Sequence, residues 1–126
     1  MPVNTPPPPG FHSVTARMVV SDVGAAVEFL HRAFGATGEV HADRPAEIRI
    51  GDSLIMVTPG GARDRFPAFL YVYVDDADNT YRRALAAGAL SLEETLDIPY
   101  GDRRAMVRDP FGNVYQIAHR MTAGEP

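Results

Sequence analysis

The amino-acid sequence predicts an α+β fold in which two βαβββ modules form a curved, cup-shaped mixed sheet. Three observations carry that expectation. A strand, an acidic cap, an amphipathic helix and a glycine stop occur in that order twice; each copy is followed by a hairpin; and 126 residues suit one domain with a real core.

The chain opens on MPVNTPPPPG, whose run Pro6 to Pro9 favours an extended conformation and has no N–H to give a sheet. Residues 1–10 are therefore expected to be a disordered proline-rich arm outside the domain. Val14 to Val20 is a β-branched run feeding Ser21-Asp22. Val23, Ala26, Val27, Leu30, Ala33 and Phe34 then recur at helical spacing until Gly35. After a weakly signalled strand near 38–42, Ala46–Ile50 turns through Gly51-Asp52 into Ser53–Val57. The second module repeats the order. Phe69–Val74 feeds Asp75-Asp76, and Ala77, Thr80, Tyr81, Ala84 and Leu85 recur until Gly88. A strand near 91–97 follows, and Arg104–Arg108 turns through Asp109-Pro-Phe-Gly112 into Asn113–Ile117. The domain spans 11–121, with modules at about 11–60 and 66–121, and residues 122–126 form a tail.

Two helices among eight strands cover one face of each sheet and leave the other open as a cleft. Alternation assigns the faces. Ala16, Met18 and Val20 suit the core, which sends Thr15 and Arg17 to the open face. The Gly51-Asp52 turn pairs Ile50 with Ser53, and hence Arg49 with Leu54 and Glu47 with Met56. Leu70, Val72 and Val74 suit the core, leaving Phe69, Tyr71 and Tyr73 open. A four-residue loop from Asp109 to Gly112 pairs Ala105 with Gln116 and Val107 with Val114, which puts Arg103 and Gln116 on the cleft side.

Composition excludes several kinds of chemistry. Cysteine is absent, removing disulfides, thiolate ligands and thiol catalysis, and with no lysine all twelve cations are arginine, so no Schiff base forms. A net charge of −4 without a basic face argues against nucleic acid. Neither a signal peptide nor an apolar run of membrane-spanning length is evident, so a cytoplasmic protein is expected, with no membrane partner.

The runs MVVSDVGAAVEFLHRAFGA, AEIRIGDSLIMV, YVYVDDADNTYRRALAAGA and YGDRRAMVRDPFGNVYQIA resemble the vicinal oxygen chelate superfamily of glyoxalases, bleomycin resistance proteins and extradiol dioxygenases, especially its PhnB-like branch. The resemblance covers Val14 to Ala118. It implies the glyoxalase/bleomycin resistance fold, a homodimer and a small organic ligand. Metal-dependent relatives take ligands from the first and last strands of each module, and the matching places here hold Thr15, Met56, Phe69 and Gln116. Only Gln116 is a plausible ligand, so neither metal nor cofactor is expected.

The resemblance thus implies a metal-independent binding protein of the drug-sequestering, antibiotic-resistance kind. Its expected cleft contains Thr15, Arg17, Glu47, Arg49, Met56, Phe69, Tyr71, Tyr73, Tyr100, Arg103 and Gln116. The aromatics would form a stacking wall, and Arg103 would clamp an anionic group. An alternative is a metal-independent enzyme using Glu47, His12 or Asp102 as acid or base. A third is a metal-dependent lyase or dioxygenase with ligands rebuilt from Glu47, His12 and Gln116.

Overall fold

A computed structural model describes residues 6–60 and 66–121. The expected residues 1–5 of the arm and the tail 122–126 lie outside the described residues. Ten elements follow in order: β1 (Arg17–Val20), α1 (Val23–Phe34), β2 (Thr37–Glu39), β3 (Ala46–Ile50), β4 (Ser53–Pro59), β5 (Phe69–Tyr73), α2 (Ala77–Ala86), β6 (Leu90–Asp97), β7 (Asp102–Arg108) and β8 (Val114–Arg120). They form two four-stranded sheets of order β1-β4-β3-β2 and β5-β8-β7-β6, each with one parallel pair. This is the α+β architecture expected from the repeat, with one βαβββ unit per sheet.

The helix boundaries follow from capping. Asp22 accepts a hydrogen bond from the Ala25 amide at 3.0 Å, and Asp76 accepts one from the Asn79 amide at 3.1 Å, each satisfying a free N–H of the first turn. Gly35 ends α1 at φ 66°, a left-handed conformation that glycine adopts without strain.

The two modules share one core. α1 packs against α2, where Arg32 donates to the Ala86 carbonyl and Arg83 to the Arg32 carbonyl, both at 3.1 Å. Tyr115 of β8 is fully buried and lies 5.9 Å from the Phe29 ring and 5.2 Å from the Phe34 ring, joining module 2 to the helix of module 1.

Register on the first sheet agrees with the turn argument: Glu47 opposes Met56, Arg49 opposes Leu54 and Ile50 opposes Ser53. On the second sheet it differs by one residue. Ala105 opposes Ile117 rather than Gln116, and Val107 opposes Tyr115 rather than Val114. The turn is longer than expected because Asn113 belongs to it. The Asp109 amide donates to the Asn113 carbonyl at 2.8 Å, while Asp109 Oδ1 accepts from the amides of Phe111 (2.8 Å) and Asn113 (2.9 Å). A one-residue slip reverses a strand's faces. Ala105 and Val107 therefore enter the core, and Arg103 moves to the helix-covered side.

Candidate functional site

On the open face of the second sheet, β5 presents Phe69, Tyr71 and Tyr73 beside Gln116 of β8 and Met106 of β7. Tyr71 and Tyr73 are a tilted pair with ring centroids 5.4 Å apart. Both hydroxyls donate to one oxygen of Asp102, at 2.7 Å from Tyr71 and 2.8 Å from Tyr73, and Arg120 donates to the other oxygen at 3.0 Å. Asp102 is 0% exposed, so these bonds replace its water. Burial pushes its carboxyl up, but the donors Tyr71, Tyr73 and Arg120 outweigh that and hold it below the usual carboxylate range. Burial and the bond to Asp102 push the Tyr71 hydroxyl up, and the same bond pushes up that of Tyr73. Both phenols stay protonated. Asp102, expected as an acid or base, is instead the fixed point to which the aromatic pair is tethered.

Arg103 does not face the cleft. Its guanidinium donates to Asp78 of α2 at 2.7 Å and to Asp97 of β6 at 2.9 Å. The anion clamp expected of it is corrected by the register slip, which aims the side chain at α2. Its neighbour Arg104 takes the open side, where it pairs with Glu93 at 3.1 Å and donates to the Tyr100 hydroxyl at 3.2 Å.

Five of the expected cleft residues fall in two cavities. The larger, of about 630 Å³, is lined by Leu70 to Tyr73 of β5 on one side and by residues 50–55 of the β3–β4 hairpin with His12, Val14 and Ala16 on the other. Its volume suits a small organic molecule. The second, of about 280 Å³, holds Thr15, Glu47 and Met56 beneath Pro7, Pro8 and Phe11. His12 lines both. The described part of the proline arm thus lies against the open face of the first sheet. There Phe11 N–H closes a turn onto the Pro8 carbonyl at 3.0 Å. Arg17, Arg49, Phe69, Tyr100 and Gln116 border the open faces without lining either cavity.

Donor chemistry at the family's metal positions does not fit a divalent cation. Thr15, Met56, Phe69 and Gln116 supply one amide oxygen of the kind a metal takes, and the Met56 sulfur already faces the Arg17 guanidinium at 3.1 Å. His12 and Glu47 share the smaller cavity, while Gln116 lies on the other sheet of the chain. Among the described residues no three of His, Asp and Glu cluster as metal ligands.

Sequence reasoning found the aromatic pair but missed its tether. An aspartate in the register of a half-open sheet gives no sign of burial unless β7 is placed correctly. It also missed Asp52 and Ser53, which enter the cavity wall because the hairpin tip reaches toward β5.

Two βαβββ sheets around one core, with a cavity between the β3–β4 hairpin and β5, define an α+β fold built from two like modules. The profile of the Glyoxalase/Bleomycin resistance protein/Dioxygenase superfamily matches residues 10–117, and the chain belongs to that superfamily. Among solved structures it is similar to TioX from Micromonospora sp. ML1, at 26% identity and TM-score 0.72, covering 89% of this chain and 98% of that one. A glyoxalase/bleomycin resistance protein/dioxygenase family enzyme from Burkholderia phytofirmans PsJN has the same fold at 20% identity and TM-score 0.71, covering 85% of this chain and 97% of its own. An uncharacterised protein of Mycobacterium tuberculosis, Rv0887c, is 28% identical over 132 residues, covering 90% of this chain and 74% of the relative.

Proposed function

We propose that the protein is a metal-independent small-molecule-binding protein that holds an organic, partly aromatic ligand and sequesters it without turnover. The observation that carries this reading is the cavity of about 630 Å³ walled by Tyr71 and Tyr73, whose rings are held by a buried aspartate. A preorganised aromatic wall spares the ligand the cost of ordering it. With Arg103 committed to Asp78, the anion clamp expected of it has no counterpart in the lining of this cavity, which holds no arginine among the described residues. Tyr100-Gly-Asp-Arg103 and Asp109-Pro-Phe-Gly112 support a place in the PhnB-like branch, and a cytoplasmic homodimer is part of the same proposal. Its support is the exposure of Phe66, Phe69, Tyr73 and Tyr100, apolar area that a second chain would cover. No helix among the described residues is long and apolar enough to cross a membrane.

Native mass spectrometry of the purified protein with a panel of aromatic metabolites tests the reading. Dimers carrying a ligand of unchanged mass are expected, with Fe, Zn, Ni and Mn far below one per chain by elemental analysis. A product mass, or one metal per chain, refutes it. A second reading, a metal-independent enzyme, rests on His12 and Glu47 lining one cavity. On that reading Glu47→Gln abolishes turnover, whereas for a binding protein it changes affinity only modestly.

A further inference from the structure

We infer that the larger cavity selects a planar aromatic cation, a ring bearing a protonated amine or a similar N–H donor, over an aromatic anion. The inference rests on the reading of that cavity as the ligand site, and it comes from an account of its donors and acceptors.

Four side chains bring hydroxyl or carboxylate oxygen to the wall: Tyr71, Tyr73, Ser53 and Asp52. Each hydroxyl proton is already committed. Tyr71 and Tyr73 donate theirs to Asp102, and Ser53 donates its own to Asp52 at 2.8 Å. A hydroxyl has one proton to give and lone pairs left over, so all three present acceptors only. The Asp52 carboxylate is an acceptor by nature. No arginine lines the cavity among the described residues, and His12 is the one side chain of the lining that retains an N–H to offer. Two guanidiniums of the second sheet are engaged, Arg120 with Asp102 and Arg104 with Glu93.

The aromatic faces point the same way. A phenol that donates to a carboxylate carries a more negative ring, and a negative π-face attracts a cation. Carboxylate, phenol oxygens and ring faces therefore all favour a ligand that brings positive charge and N–H donors. An anion finds one side-chain N–H, that of His12, against a wall of acceptors it cannot pair with, and specificity against it follows from that imbalance.

Three probes sharing one ring isolate the charge: 1-naphthylmethylamine, 1-naphthalenemethanol and 1-naphthoate, titrated against the full chain by naphthalene fluorescence at pH 7. The ammonium is expected to bind about tenfold or more tighter than the carboxylate, in line with the cation–π and pairing energies of a partly desolvated site. The alcohol should fall between them. Asp52→Asn, on an exposed turn, and the double variant Tyr71→Phe with Tyr73→Phe should each shrink that ratio at least about threefold, since the first removes the negative charge and the second two acceptor oxygens. Equal binding of all three probes, or tightest binding of the carboxylate, overturns this inference and leaves the cavity standing as a ligand site. Binding of none overturns the site itself and the inference with it.

Discussion

Replacing Tyr115 with phenylalanine removes one oxygen from the centre of the molecule and tests what fixes the register of the second sheet. The Tyr115 hydroxyl is buried and donates to Asp109 Oδ2 at 2.7 Å, an oxygen that also accepts from Asn113 Nδ2 at 3.1 Å. Phenylalanine keeps the contacts with Phe29 and Phe34 and loses this bond together with the hydroxyl's longer contact to Met18 Sδ at 3.7 Å. A hydrogen bond to a buried charge contributes about 1.5–3 kcal/mol, so the expected cost is about 2 kcal/mol. With a urea slope of about 1.5 kcal/mol/M, the unfolding midpoint should fall by about 1.3 M. In an Asp109→Asn background the same substitution should cost at least about 1 kcal/mol less, because the two groups act on each other. Burial, with the Asp109 charge and hydrogen bond, pushes the Tyr115 hydroxyl well above its ordinary value. A raised folded pKa contributes stability that is complete below the unfolded value near 10 and is lost as pH rises through the folded one. The gap between wild type and Tyr115→Phe should therefore narrow in alkali. A midpoint shift under about 0.3 M, or an equal cost in both backgrounds, would refute the reasoning.

Three other outcomes are expected. Asp102→Asn should release the tyrosine pair, seen as a loss of near-UV circular dichroism while the far-UV spectrum holds; an unchanged near-UV signal would show that Asp102 does not hold the rings. Arg103, followed by Thr95, holds Asp78 down to about 2, below the ordinary carboxylate value near 4. Its contribution is present above pH about 4 and lost as pH falls toward about 2, so Asp78→Asn should flatten the acid limb of stability measured by urea titration across that range. Gly38→Ala should cost at least about 2 kcal/mol and fray β2, because φ there is 130° and a Cβ would strike the Glu47 carbonyl. Hydrogen exchange of the β2 amides no faster than wild type would count against that.

How much could be read from the chain depends on how each turn is closed. Gly51-Asp52 is closed by backbone alone, with Gly51 in the left-handed region, so strand pairing on the first sheet follows from turn length and the faces of Glu47, Arg49 and Met56 come out correctly. Both helices were legible because the stripe and the aspartate caps agree, with Gly35 capping α1 and Gly88, at φ 108°, one residue past the Ala87 cap of α2. The Asp109 turn is closed by side chains. Its carboxylate gathers two amides, the Asn113 side chain and the Tyr115 hydroxyl, drawing Asn113 out of the strand. Local spacing carries no mark of that, because Tyr115 reaches Asp109 only once β8 is buried. The proline arm was illegible for a related reason: its composition describes an unpaired extended segment, while its position depends on the sheet face beneath it.

The single slipped residue also decides the charge of the cup. Had the shorter turn held, Arg103 would stand on the open face beside Tyr71 and Tyr73, and the wall would offer a guanidinium fork to a carboxylate. In the observed register Arg103 faces Asp78 and Asp97, while Arg104, which replaces it, is neutralised by Glu93. The same register carries Asp102 to the open side, where it accepts hydrogen bonds from both tyrosine hydroxyls. Both effects of the slip have the same sign, removing a free cation from the aromatic face and turning its hydroxyls into acceptors. If the cavity is the ligand site proposed above, the closing of one turn by Asp109 fixes what chemistry a ligand must bring to the aromatic wall.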